Sequence, residues 1–189
     1  IAVGGFVQAR GSLAIEKASR QITLADGQRV YVDSLSMGGT GLDAFAGVGG
    51  PYFLDGDATS TTAAGVAMSN AEFALTLMAA RPGQSQSGMK WVAADAIADS
   101  VAVVGLPADM VLTANDLQVS ANLVFGAPEG QDPDTLVVDF SDDLAIDIAT
   151  GVDSTRTLDF DGARGQLVRA SGEVEVTPAQ DGMRGAMAR

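Results

Sequence analysis

The chain has 189 residues, 47% of them apolar, and carries a net charge of −13 from 24 acidic and 11 basic side chains. That length supports one domain with a genuine core. The charge excludes nucleic acid and anionic membrane surfaces as partners, since both demand Lys and Arg, and the lack of any Cys or His removes disulfides, thiolate zinc sites and thiol nucleophiles.

Alternation with a period of two begins at the start of the chain. Val7, Ala9, Gly11, Leu13 and Ile15 take turns with Gln8, Arg10, Ser12 and Glu16, which predicts a strand whose apolar set points inward. Ala25-Asp26-Gly27-Gln28 separates Ile22 and Leu24 from Val30 and Val32, and Asp-Gly between alternating segments marks a hairpin. Near Asp33 and Ser34 the alternation changes phase, with Leu35 and Met37 replacing Val30 and Val32, so a β-bulge is expected there. Gly47 to Pro51, Arg81-Pro82-Gly83, Pro128-Glu129-Gly130 and Asp161-Gly162 are further breaks. Segments 58–70 and 92–104 are Ala-rich, which leaves a short helix within 92–98 open. Alternation then returns in Leu117 to Phe125, Leu136 to Phe140, Leu144 to Ile148, Leu158 to Phe160 and Val168 to Val176. From Pro178 the pattern is lost, and 178–189 reads as a tail or short helix. No run of 18 or more apolar residues exists, so membrane insertion is not expected. The chain opens at Ile1 rather than Met, as a processed product or a piece of something longer would.

Parts of the chain repeat. DAFAGVGGP at 43–51 returns as DSVAVVGLP at 99–107, and MSNAEFAL at 68–75 as LTANDLQV at 112–119. The ends also match: FVQARGSLAI at 6–15 resembles LVRASGEVEV at 167–176. Self-similarity of this kind predicts a modular architecture. We therefore expect an all-β fold of elongated, mainly antiparallel sheets with internal duplication, sandwich-like or solenoid-like, over residues 1–177. Tyr31-Val32 and Trp91-Val92 precede the two copies and read as paired core anchors.

Few residues carry chemistry. Asp55-Gly56-Asp57 places two carboxylates on a loop, where Asp55 and Asp57 would hold calcium with Asn70 or backbone carbonyls completing the shell. The run Ala58-Thr59-Ser60-Thr61-Thr62 makes that loop abbreviated, and the competing reading is a solvated turn. Asp132-Pro133-Asp134 and Asp142-Asp143 flank residues 135–141. Paired carboxylates serve glycoside hydrolysis, but Trp91, Tyr31 and Tyr52 are the only Trp and Tyr available as sugar platforms. No Gly-x-Ser-x-Gly elbow is present, and Gly47-Val48-Gly49-Gly50 lacks the lysine of a phosphate cradle.

The segments FVQARGSLAIEK, LDAFAGVGGPYF, AEFALTL, NDLQV, VVDF and TLDFDG together resemble the tandem repeats of very large bacterial secreted or surface proteins, of the adhesin-like and hemolysin-type calcium-binding kind. The resemblance covers most of the chain up to about residue 177. It implies a non-catalytic extracellular or cell-surface β module whose partners are copies of itself or adjacent repeats of a larger chain, with calcium the one cofactor to consider. In that family a longer Asp/Gly-rich loop often stands where Asp55 and Asp57 do. The expected function is structural: a stalk, filament or surface-layer subunit joined through edge strands near 6–16 and 167–176. The alternative is a binding module whose apolar face forms a groove for a lipid-like or peptide ligand.

Overall fold

A computed structural model describes residues 2–3, 6–55, 59–106 and 110–177. Within them the chain is all-β and forms no α-helix. The strands are β1 (Ala2–Val3), β2 (Val7–Leu24), β3 (Arg29–Val48), β4 (Ala64–Ala80), β5 (Lys90–Val104), β6 (Val111–Phe125), β7 (Val138–Asp139), β8 (Ile146–Ala149), β9 (Thr155–Leu158) and β10 (Leu167–Thr177). The main sheet runs β1-β2-β3-β4-β5-β6-β10 with every neighbouring pair antiparallel. Its path leaves β2 and β10 near opposite ends, so it is an open sheet and not a closed barrel. The tail 178–189 lies outside the described residues.

The short helix left open within 92–98 does not form. β5 pairs along its length with β4 on one side and β6 on the other, and two ladders override the modest helix preference of Ala. The two sequence copies fall on matching hairpins: 43–48 ends β3 as 99–104 ends β5, while 68–75 lies in β4 and 112–119 in β6. Gly49 (φ +74°) and Gly105 (φ +82°) then approach Thr62, Ala63 and Ala64 at the start of β4 too closely for a side chain.

The expected bulge at Asp33 and Ser34 is absent, since β2–β3 and β3–β4 keep register through both residues. Polarity changes there, and the backbone does not. On one face β3 passes from Val30 and Val32 to the buried Ser34 and Ser36, while Leu35 and Met37 lie on the other. The register shifts come further on, between Gly39 and Ala44 and between Arg10 and Ser12.

The residues 126–166 cross one face of the sheet and build the main core. Trp91, Val30, Val32, Leu24, Met78 and Val124 of the sheet pack with Leu136, Val137, Val138, Phe140, Ile148 and Leu158 of the crossover. Polar contacts fix its placement: Trp91 Nε1 donates to Leu136 O at 2.7 Å and Asn122 Nδ2 to Val138 O at 2.8 Å. Arg156 of β9 reaches down to Asp95 and to Glu72, the latter at 3.6 Å. Beside Gly38 a Cβ would stand 2.2 Å from Ala149 O, so only glycine lets β8 lie this close. A smaller core forms where the loop after β3 folds back. Tyr52 stacks on Phe45 at 4.7 Å, and Gln8 Oε1 accepts from Tyr52 N and Phe53 N.

One expectation fails in an instructive way. The apolar set Val7 to Ile15 of β2 does not point into the core, although Ile22 and Leu24 further along the strand do. Leu13 is 57% exposed and Ile15 72%. They share the uncovered face with Leu35, Leu77, Val119, Phe125, Val168 and Val174, all exposed as well. The paired anchors split in the same manner: Trp91 is fully buried, but Tyr31 is 54% exposed. Tyr31 alternates with the buried Val30 and Val32 and so must face the other way.

Candidate functional site

Among the described residues, that face is left uncovered together with the two edges that bound it. In chain order its rows come from alternate residues of β2 to β6 and of β10. One row crosses five strands as Lys17, Leu35, Leu77, Val92 and Leu123, each opposite the next. The adjacent row runs Ser19, Asp33, Ala79, Lys90 and Phe125. Small Ala79 between larger neighbours leaves a depression of about 480 Å3, walled by Leu35, Leu77, Val92 and Phe125 with Lys17, Lys90 and Asp33 around it. Asp33 is already balanced: Arg81 Nε stands 3.5 Å away, and Ser19 Oγ donates to it at 2.6 Å. Neither lysine joins an ion pair among the described residues.

The edges are built alike. Pairing of β2 with β3 slips between Arg10 and Ser12, and pairing of β10 with β6 slips between Ser171 and Glu173. At the first slip Gly11 lies against Leu42; at the second Gly172 lies against Leu117. Gly41 (φ +57°) and Asp116 (φ +50°) supply the left-handed residue in the facing strands. The matching ends of the sequence are thus two edge strands making the same bulge, with Val7 and Val168 opening each in the same phase. Four strands separate the edges and every step is antiparallel, so β10 runs opposite to β2. Residues 11–21 of β2 lack an outer partner strand, β1 and β7 pairing only beyond them, and no described strand lies outside β10.

Between the edges a polar seam follows the bulges. Arg10 Nε bonds Asp43 Oδ2 at 3.2 Å, Asp43 Oδ1 accepts from Asn70 N at 3.0 Å, and Asn70 Nδ2 donates to Asp99 Oδ2 at 2.8 Å. Asp43 and Asp99 head the two sequence copies and grip Asn70, which itself holds φ +45°. Their recurrence is explained by this backbone kink.

The acidic candidates lie elsewhere. Asp55 is exposed on the loop after β3, and Asp57 lies outside the described residues. Among the described residues no group of three or more acidic side chains is gathered as a metal would need. Asn70, the suggested third ligand, is engaged in the seam. Asp132 Oδ1 accepts from Asp134 N, and Asp134 Oδ1 accepts from Gln166 N, closing turns in the crossover. Burial pushes the Asp139 carboxyl up, but N–H groups of Gly162 and Ser141 at 3.0 and 3.1 Å outweigh it and hold its pKa below the ordinary 3.8. Asp142 and Asp143 form an exposed turn. Asp139 and Asp143 border one small depression of about 200 Å3 beside Arg20, whereas Asp132 and Asp134 are tied into the turns of the crossover.

Sequence reasoning passed over the lysines. The signal was present: Lys17 falls in phase with Leu13 and Ile15, and Lys90 with Val92 and Ala94, so alternation alone puts both on the apolar face. Comparison of the chain with protein-family models, with curated proteins and with solved structures finds no match.

Proposed function

We propose that this chain is a non-catalytic structural module, extracellular or at a cell surface, that joins its neighbours by adding edge strand to edge strand. The observation that carries the reading is the pair of open edges, residues 11–21 of β2 and Leu167–Thr177 of β10. An unpaired row of N–H and C=O groups is a template for another strand. Because β10 runs opposite to β2, the β10 edge of one copy meets the β2 edge of the next as an antiparallel pair. The apolar face then continues on the same side from copy to copy. Adjacent repeats of a longer chain would join by the same contact, and divalent cations such as calcium would relieve repulsion between units that each carry −13.

Sedimentation velocity over a range of concentrations, with and without calcium, tests the reading. Concentration-dependent oligomers that shorten with Val174→Pro are expected, because proline removes an N–H from β10 and bends the strand. A monodisperse monomer at the highest concentration in both buffers would sink the proposal.

A further inference from the structure

We propose that the depression over Leu35, Leu77 and Ala79 is a binding site for a single-chain amphiphile with an anionic headgroup, seated by Lys17 and Lys90. The inference does not depend on edge joining: Lys17 belongs to the edge strand β2, but the site uses its side chain on the face, whereas joining uses the backbone of the edge.

Charge placement carries the argument. The chain has two lysines, Lys17 and Lys90, and a net charge of −13. Both lie on the face that carries Leu13, Ile15, Leu35, Leu77 and Phe125 beside the Asp33–Arg81 pair, and both border the same depression. They stand on β2 and β5, three strand spacings or about 14 Å apart at the backbone, in adjacent rows. Long flexible stems let both ammonium groups lean over Leu35, Leu77 and Ala79 while staying in water. Asp33 is neutralised by Arg81 at 3.5 Å, so the two ammonium charges are left uncompensated by any ion pair among the described residues.

The walls decide the rest of the ligand. Leu35, Leu77, Val92 and Phe125 present no hydrogen-bonding side chain, and the strands beneath direct their backbone N–H and C=O groups at one another. A peptide laid there would have to bury amides without partners. An alkyl chain loses nothing on entering, and about 480 Å3 falls in the size range of small-molecule sites. A carboxylate at its end meets the lysines.

The test is calorimetric titration with dodecanoate below its micelle concentration, beside dodecanol and dodecyltrimethylammonium. The expected result is saturable one-to-one binding of dodecanoate, roughly fivefold to tenfold tighter than dodecanol at low salt, with the preference shrinking as salt is added. Lys17→Gln/Lys90→Gln should abolish the preference for the carboxylate and leave dodecanol binding unchanged. Leu77→Gln should weaken all three. Circular dichroism of each variant separates lost binding from lost folding, and exposed lysines leave the fold intact. Equal binding of the three amphiphiles, no saturable binding, or a preference that survives loss of both lysines would overturn the site. So would a dimer that buries this face, excludes dodecanoate and falls to monomer with Leu77→Gln. None of these results bears on association through β2 and β10.

Discussion

The two faces of one sheet invert the usual relation between polarity and burial. Under the crossover, Ser34, Ser36, Thr76, Ser120, Asn122 and Asp95 are buried although polar. On the opposite face Leu13, Ile15, Leu35 and Val119 stay exposed although apolar. The buried polar groups are mostly satisfied: Ser36 Oγ meets Thr76 Oγ1 at 3.1 Å, Ser34 Oγ meets Ala18 O at 3.2 Å, and Ser120 Oγ donates to Asp95 at 2.8 Å. Asn122 Oδ1 is the exception, buried without a hydrogen-bond partner among the described residues. What is covered is set by where residues 126–166 land, and they land where Trp91 and Val124 give an apolar seat beside groups able to hydrogen-bond them. The uncovered apolar face is of the kind that marks an interaction surface.

The sharpest way to break this asymmetry is at its seat. Trp91→Ala removes the largest fully buried side chain and the bond to Leu136 O. It should cost about 3–5 kcal/mol in urea unfolding. Arg156→Met should come next. It strands Asp95 and Glu72 beneath β9, and the loss, read by the same unfolding curve, is about 2–3 kcal/mol given the partial exposure of Glu72. A rescue by the double variant with Asp95→Asn would tie the effect to that charge and not to packing.

A smaller effect is expected from acid. The folded pKa of Asp139 lies below its unfolded value, so its contribution is fully present above pH of about 4. It is lost as pH falls through the depressed folded pKa. Amide exchange at Gly162 and Ser141 should accelerate over that window before the main sheet opens, and Asp139→Asn should flatten the response. The smallest change is predicted on the other face. Ile15→Thr should move monomer stability by no more than about 0.5 kcal/mol, because a side chain 72% exposed loses little packing. A larger loss would mean that the face is covered in solution.

Much of this was legible along the chain. The Asp26-Gly27 hairpin, the long strands read from alternation and the two edge strands stand where the residues place them, whereas 136–140 and 144–148 shrink to short strands beside 3-10 turns and the glycines at 38–41 lie within β3 and not at a break. The short helix in 92–98, the bulge at Asp33 and the burial of Tyr31 were misread for related reasons. Ala content says nothing of the ladders on either side of β5, and a change in polarity along β3 looks the same as a slip in its backbone. Asp43 and Asp99 were seen as a repeat, but their hold on Asn70 links residues 27 and 29 positions apart.

The sequence by itself determined that strands form, which residues share a face, and that the two ends are alike, because a pleated chain turns each side chain opposite to the next. Which of the two faces is buried was decided only by tertiary structure. The cover comes from residues 126–166, far along the chain from most of what they pack upon, and a period of two is identical whichever side that cover takes.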